Sequence, residues 1–373
     1  MIVGMVSDTF LPLIGGAEIH LNNLSKHLND FGYDIKIFTN VSGNDYEDEF
    51  LVIRNHPSNL ILDVVTLFNF IKSVDIVHCH YTFYLSSIAC VLAKILGKPS
   101  VITLHGLGTL DSSVKKSIIM KFYRWISFKS ADMIIGTSNE MVEVAKRFVE
   151  KDKVILIPNA VNTDEFKPSF KSNMKKKKFI VLSARRLNPK NGVQYLIDAV
   201  PYIIKENDQV EFWIMGEKKL ESYLRERVKE KSIGKYVKFI GQIPNEDIKY
   251  YYDQADVVIF PSSAESTSIS CLEAMSMEKV VVASSLEPYK VLLGNNERGI
   301  LVRLFDRDSS DYEAPLVLPK DRLKEISDAI LFLHKDEKLR ESMGKRARKF
   351  VKDNYDWKII SNTVIQVYSK LLN

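Results

Sequence analysis

The sequence predicts an α/β protein with two doubly wound, Rossmann-like parallel-sheet domains that face each other across a central cleft. Short β-branched apolar runs alternate with longer amphipathic stretches along nearly the whole chain, as expected when helices cover both faces of parallel strands. The alternation is interrupted once, near residues 162–178, and then restarts. The length of 373 residues fits two domains at roughly 150 residues per domain.

The first block of elements predicts an N-terminal domain over residues 1–165. Its strands are expected at 1–6, 34–39, 74–79, 100–104, 132–137 and 153–157. Its helices are expected at roughly 16–31, 82–97, 113–130 and 139–149. The turn signal Pro158-Asn159 ends the block. The following polar stretch with four consecutive lysines predicts an exposed linker over 166–177, with a solvated surface loop inside one domain as the alternative.

The second block predicts another α/β domain over residues 178–354. Its strands are expected at 178–184, 210–215, 236–240, 256–260, 279–284 and 299–303. Its helices are expected at 190–206, 217–233, 245–253, 267–277, 320–334 and 336–353. Residues 355–373 are predicted to form a helix that is not followed by a strand. In such folds ligands bind at the carboxyl ends of the strands.

Composition and charge exclude several classes of protein. The net charge is only +5, so a dedicated nucleic-acid binder is not expected. No run of 18 apolar residues occurs, and the N-terminus lacks the basic and small-residue features of a signal peptide. Three cysteines without C-x-x-C spacing predict neither a disulfide framework nor a zinc site, which favours a cytoplasmic protein. Residues 1–165 carry a net charge of −3 and the remainder +8, so the second half is expected to hold an anionic ligand better.

Polar residues at predicted strand ends of the first domain are candidate site residues. Gly15 and Gly16 precede a helix, where the backbone can approach an anion closely, or they form only a turn. His105 follows a strand and either donates to a substrate or is structural. His78 and His80 have metal-ligand spacing, but no carboxylate cluster accompanies them, so no metal site is expected.

The second domain carries the stronger candidates. Arg186 and Lys190 lie in a strand-to-helix loop, where their charges are those needed to bind a diphosphate. A solvated charged loop without a ligand explains the same residues equally well. Glu265 follows a strand, and Glu273 lies eight residues later, just over two helical turns away, so both carboxylates can face one ligand. Ser268, among the hydroxyl residues between them, is expected to cap the helix.

One segment suggests contact with a membrane. Residues 112–130 contain five basic residues, no acidic residue and four aromatics including Trp125. Such a helix either lies on an anionic membrane surface or packs on its own sheet with its lysine stems along the surface.

The order of these motifs resembles glycosyltransferase family 4, the retaining nucleotide-sugar enzymes of the GT-B fold. The resemblance covers nearly the whole chain. It comprises Gly15-Gly16, His105-Gly106, Ile157 to Asn162, Arg186-Leu187 with Lys190 and Gly192, Phe239 to Gly241, and Pro261-Ser262 followed by Glu265 and Glu273 in an E-x7-E arrangement.

The resemblance implies a retaining, metal-independent hexosyltransferase without a cofactor. Arg186 and Lys190 would neutralise the diphosphate of a UDP- or GDP-linked donor sugar. Glu265 would contact the transferred sugar near its anomeric carbon, and Glu273 would bind the ribose. The acceptor would be a glycan, a lipid-linked sugar or a small-molecule hydroxyl.

The resemblance also assigns smaller roles. His105 would contact the sugar and help to place the acceptor, and Gly15 and Gly16 would approach the phosphate and acceptor side. Gly241, Ser268 and Ile269 are implied donor-binding residues. The helix at 355–373 would cross back to the first domain. Independently of the resemblance, the residues themselves predict a protein that is either cytoplasmic only or also in peripheral contact with the inner membrane face through 112–130.

The chain departs from the family pattern in three places, at residues 266–268, 277–280 and 284–288. Ser266-Thr267-Ser268 stands where the family usually has Gly-Phe-Gly, so backbone approach to the phosphate is reduced and the hydroxyls would have to supply donors. Two other functions stay open at this point. A non-catalytic nucleotide-sugar-binding subunit is suggested by the lost glycines, and a nucleotide-sugar 2-epimerase would share the same architecture.

Overall fold

The computed structural model describes residues 1–13, 15–43, 46–47, 50–55, 60–106, 118–169, 178–217, 220–244, 247–306 and 315–373. These residues form two compact units. The first unit combines Met1–Ala160 with Trp357–Asn373, and the second is Val161–Asp356. Residues 161–165 therefore belong to the second unit, and residues 170–177 of the predicted linker lie outside the described residues.

The first unit is built on a single sheet within the described residues. Its strands are β1 (Ile2–Ser7), β2 (Asp34–Thr39), β3 (Tyr46–Glu47), β4 (Phe50–Arg54), β5 (Ile76–His80), β6 (Ser100–Leu104), β7 (Met133–Gly136) and β8 (Val154–Leu156). Their order is β3-β4-β2-β1-β5-β6-β7-β8, and every pair is parallel except β3 with β4. Every residue of β6 and β7 is buried, which explains their continuous apolar sequence.

Helices cover this sheet, most of them at the positions that the amphipathic pattern predicts. They are α1 (Gly16–Asp30), α2 (Leu60–Lys72), α3 (Tyr84–Ile95), α4 (Ile118–Ser130) and α5 (Asn139–Ala145). In α1 the apolar stripe Leu21, Leu24 and Leu28 is fully buried in the core of the first unit.

In the described part of the second unit, the sheet has six strands and is wholly parallel. Its strands are β9 (Phe179–Ala184), β10 (Val210–Met215), β11 (Val237–Gly241), β12 (Val257–Phe260), β13 (Val280–Ser284) and β14 (Gly299–Val302), in the order β11-β10-β9-β12-β13-β14. The order reverses beside β9, which pairs with β10 on one side and β12 on the other. Loops after β9 and β12 therefore diverge at the point where doubly wound sheets bind ligands.

The helices of the second unit are α6 (Val193–Glu206), α7 (Glu221–Glu230), α8 (Ile248–Gln254), α9 (Ile269–Ser276), α10 (Glu287–Leu293), α11 (Lys320–Lys335) and α12 (Glu337–Asn354). The last helix of the chain, α13 (Trp357–Leu372), belongs to the first unit and contacts α1. Its buried residues Trp357, Ile360 and Val364 pack in the core of that unit. This packing explains why the helix is not followed by a strand.

The structure confirms the predicted fold class, two parallel-sheet α/β domains, and adds four elements that the sequence did not predict. β3 and β4 pair antiparallel at a sheet edge, where β3 is only two residues long. The sequence of α2 is apolar almost throughout, so its helical period is hidden. Helix α10 begins with Glu287-Pro288, and proline is tolerated in a first turn even though it reads as a breaker. No helix within the described ranges has the length and hydropathy needed to cross a bilayer.

Candidate functional site

A buried ion pair lies at the carboxyl ends of β9 and β12. Arg185, the first residue after β9, places Nη2 at 2.5 Å from Oε2 of Glu265, which lies in the loop after β12. The Arg185 side chain is 10% exposed and that of Glu265 is 14% exposed. The same guanidinium donates to Oδ1 of Asn191 and Oγ of Ser268, both at 2.9 Å, and to Oη of Tyr289 at 3.3 Å. Arg185 therefore connects the loops after β9 and β12 with helix α10.

The ion pair determines the charge state of the carboxylate. Burial by itself raises the pKa of Glu265, but the charge and hydrogen bond of Arg185, aided by Lys190, outweigh it and hold the pKa below its usual value. Burial lowers the pKa of Lys190, and the nearby Arg185 and Arg186 act in the same direction, while Glu265 opposes them. Glu265 is therefore ionised near neutral pH, beside two cations.

The predicted phosphate-binding residues Arg186 and Lys190 lie on the loop between β9 and α6. Arg186 is exposed and Lys190 is partly buried. The backbone carbonyl of Lys190 accepts a hydrogen bond from the Ser263 amide at 2.8 Å, which ties this loop to the one after β12. Gly192 has φ of +72°, and a Cβ there would lie 1.9 Å from the carbonyl oxygen of Pro261. Only glycine allows the two loops to approach this closely.

The second carboxylate of the E-x7-E pair has a separate environment. Glu273 on α9 is 5% exposed, and the Tyr252 hydroxyl donates to its Oε2 at 3.0 Å. Burial raises the pKa of Glu273 to about 7, against the opposing effect of that hydrogen bond. Near neutral pH this carboxyl is therefore a mixture of its charged and neutral forms.

The remaining donor-side predictions fall at the edge of this group. Ser268 is the N-cap of α9, and its Oγ accepts from the Cys271 amide as well as from Arg185. Ile269 is the first residue of α9. Gly241 ends β11 with φ of +85°, and its carbonyl accepts from the Gly216 amide at 2.8 Å.

Four histidines lie close together in the first unit. His20 is on α1, His78 lies in the middle of β5 and His80 ends it, and His105 follows β6. Nδ1 of His80 and Nε2 of His105 are 2.8 Å apart, and their rings stack with centroids 5.1 Å apart. Burial lowers the pKa of His20 to about 4 and of His78 to about 3, and with help from neighbouring imidazoles it holds those of His80 and His105 well below the usual value. All four are neutral at pH 7.

This histidine cluster could bind a hydroxyl-bearing ligand or a metal ion. Nδ1 of His20 and Nε2 of His80 are buried and have no hydrogen-bond partner among the described residues. One ligand atom from each of His20, His80 and His105 lies within 4.8 Å of the others, which is the donor set of a transition metal. His78 is satisfied by Thr103 and Tyr368, so it is structural.

The predicted glycines of the first unit lie at the start of α1. Gly15 is the N-cap and Gly16 the first helical residue. The φ of Gly15 is −160°, an extended conformation that any residue can adopt, so its conformation alone does not require glycine.

The sequence did not predict Arg185, the cation that pairs with Glu265. Arg185 and Arg186 are adjacent in a loop, and no periodicity tells which of two neighbouring loop residues turns inward. The aromatic hydroxyls of Tyr252 and Tyr289 were also missed, because they come from helices remote in sequence. His20 was missed because one histidine in an amphipathic helix carries no signal.

Two family models match the chain and together span residues 14–311. Glycosyltransferase Family 4 matches residues 14–165, and glycosyl transferases group 1 matches residues 164–311. The chain belongs to glycosyltransferase family 4. This confirms the predicted family, and the chain is therefore a sugar-transferring enzyme.

Known glycosyltransferases resemble the chain over most of its length. An uncharacterized glycosyltransferase of Methanocaldococcus jannaschii is 24% identical, with 98% of each chain covered. The UDP-Gal:alpha-D-GlcNAc-diphosphoundecaprenol alpha-1,3-galactosyltransferase of Escherichia coli is 28% identical, covering 80% of this chain and 84% of the relative. The solved structure of Anabaena HepE in complex with UDP-glucose has a TM-score of 0.80 at 18% identity, covering 100% of both chains. This likeness supports the GT-B fold.

Proposed function

We propose that this glycosyltransferase is a retaining hexosyltransferase that uses a nucleotide diphosphate sugar and needs no metal ion. The donor is UDP- or GDP-linked, and the acceptor is a hydroxyl of a glycan, a lipid-linked sugar or a small molecule. The observation that carries the proposal is the grouping of Arg185, Lys190 and Glu265 at the carboxyl ends of β9 and β12. Retention is the outcome predicted from the family resemblance.

The cations serve the leaving group. When the bond between the anomeric carbon and the diphosphate breaks, its electron pair goes to the diphosphate oxygen. Lys190 and Arg186 lie on one strand-to-helix loop and would neutralise that charge in place of a metal. Partial burial strengthens the effect of Lys190, because its charge is less screened by water.

The ionised carboxylate serves the sugar. Positive charge develops at the anomeric carbon in the transition state, and Glu265 is held in its anionic form by Arg185. Glu273 would instead accept hydrogen bonds from the ribose hydroxyls, an interaction made equally before and during the reaction. The roles assigned to Gly15, Gly16, His105, Gly241 and Ile269 stay predictions.

The test is a donor screen that measures nucleoside diphosphate release. Wild type and Glu265→Gln are incubated with UDP- and GDP-linked hexoses, with chelator present, with and without glycan and lipid-diphosphate acceptors. We expect acceptor-dependent release by wild type, near-background release by Glu265→Gln, and an unchanged anomeric configuration by proton NMR. Lipid-linked acceptors belong in the screen because the E. coli relative is named for one.

Other outcomes distinguish the alternatives. An inverted anomer would overturn retention, and activity restored only by a divalent metal would overturn metal independence. Donor converted to its 2-epimer without any acceptor would identify an epimerase. Donor binding by calorimetry with no turnover on any acceptor would support a binding subunit. Peripheral membrane contact through 112–130 also stays a prediction, and residues 112–117 lie outside the described residues.

A further inference from the structure

Helix α4 exposes a stripe of large apolar side chains. Ile118 is 85% exposed, Ile119 57%, Phe122 54% and Trp125 54%. Positions 118, 122 and 125 follow the i, i+4, i+7 spacing of one helix face. The Phe122 and Trp125 rings stack with centroids 6.3 Å apart, so the two aromatics form a continuous patch.

A different face of α4 attaches the helix to its own unit. Phe128 is 2% exposed, and Ser127 Oγ lies 2.8 Å from Ser87 Oγ on α3. The Ser87 hydroxyl also reaches the backbone carbonyl of Tyr123 at 2.9 Å. The exposed stripe is therefore not the core-packing face. Packing within the unit accounts for Phe128 but leaves the stripe of exposed apolar side chains uncovered.

The charges beside the stripe have one sign. Lys121 and Lys129 are exposed, Arg124 is partly buried, and the sequence from Ile118 to Ser130 contains no acidic residue. The guanidinium carbon of Arg124 lies 5.3 Å from the centroid of the Phe148 ring. A helix with apolar and aromatic residues on one face and cations beside it matches the interface of an anionic bilayer.

We propose that α4 docks this glycosyltransferase on an anionic membrane surface. Ile118, Phe122 and Trp125 enter the boundary between headgroups and acyl chains, while Lys121 and Lys129 contact lipid phosphates. A second copy of the chain fits less well. A two-fold contact through this face would bring the cations of one α4 against the same cations of the other α4. Helix α4 has no acidic residue to neutralise them. The inference goes beyond the proposed function and needs neither donor nor acceptor.

The first experiment measures binding of the full chain to sedimenting vesicles. Vesicles of phosphatidylcholine alone are compared with vesicles in which about one lipid in three is the anionic phosphatidylglycerol. We expect binding to the anionic vesicles that weakens with added salt. Lys121→Gln/Lys129→Gln should weaken it about 25-fold, or about fivefold per charge. Phe122→Ser/Trp125→Ser should reduce binding to background.

The matched control is Phe332→Ser on α11, because Phe332 is 55% exposed in the other unit. It should bind vesicles as wild type does. Thermal unfolding of every variant checks folding, and substitutions at these exposed positions should leave the midpoint nearly unchanged. A site-specific readout is quenching of tryptophan fluorescence by brominated lipids, which should be lost in Trp125→Phe.

Three results would overturn the proposal. The first is wild type that stays in the supernatant with anionic vesicles, and the second is an aromatic double variant that binds as well as wild type. The third is light scattering that shows a wild-type dimer, a monomeric Phe122→Ser/Trp125→Ser and no vesicle binding by either. That pattern would assign the stripe to self-association. None of these results affects the donor screen, so the two proposals fail independently.

Discussion

Replacing Arg185 by methionine tests the ion pair on which the proposed chemistry rests. The change removes the charge but keeps much of the side-chain volume, and it leaves Glu265 buried beside Lys190 as its remaining nearby cation in the described site. Removing one partner of a buried pair costs about 3–5 kcal/mol. We expect the lower end, about 3 kcal/mol, because Lys190 and the Ser266 amide, 3.1 Å from Oε1, still stabilise the carboxylate.

The assay is urea unfolding of the full chain for four proteins: wild type, Arg185→Met, Glu265→Gln and the double variant. Because the stranded charge causes the loss, the double variant should be more stable than Arg185→Met alone. Arg186→Met is the matched control. Its side chain is exposed, so we expect a change within about 0.5 kcal/mol.

The pH dependence supplies a second check on the same pair. The pKa of Glu265 is lowered in the folded protein, so its stabilising contribution is present above the usual carboxyl pKa of 4.5 and is lost as pH falls below it. Arg185→Met should lose that dependence. A loss below about 1 kcal/mol at pH 7, or a double variant whose loss equals the sum of the two single losses, would refute the reasoning.

Three further predictions concern donor binding and turnover. Arg186→Ala should weaken nucleoside diphosphate binding at least about tenfold by calorimetry, since charge-assisted contacts are worth about 1.5–3 kcal/mol; an unchanged dissociation constant would remove Arg186 from the site. Glu265→Gln should lower kcat, whereas Glu273→Gln should mainly raise the donor KM; exchanged effects would reverse the two roles. The donor KM of wild type should rise as pH falls through about 7, where Glu273 gains a proton and accepts hydroxyls less well. If the donor KM of Glu273→Gln depended on pH in the same way, protonation of Glu273 would not be the cause of the effect.

The fold could be predicted because parallel strands covered on both faces carry a strong signal. β6 and β12 are buried throughout, and their β-branched runs are bounded by turns and amphipathic helices. Placing polar residues after such strands was enough to select Glu265, Lys190 and His105 as candidates. The antiparallel pairing of β3 with β4 could not be predicted in this way, because the two residues of β3 leave no period to detect.

The partners of the candidate residues were beyond the sequence for a different reason. Arg185 gains its importance from contacts with residues 80 and 104 positions away, Glu265 and Tyr289. Tyr252 reaches Glu273 from another helix in the same manner. Local patterns report which residues lie at a strand end. They do not report which of two adjacent side chains completes a network assembled from several loops.

The departure from the family pattern can be understood through that network. Ser268 stands at the second glycine of the usual Gly-Phe-Gly, and its Oγ accepts from Nη1 of Arg185 at 2.9 Å. A glycine at this position would remove both that acceptor and the N-cap of α9. Arg185 would then keep Glu265 and Asn191 as partners through Nη2, while Nη1 would retain only the longer contact to Tyr289. Ser268 therefore supplies the shorter of the two hydrogen bonds that Nη1 of Arg185 makes. The hydroxyl that replaces glycine helps to hold the guanidinium that keeps Glu265 ionised, so the altered sequence is compatible with a working carboxylate.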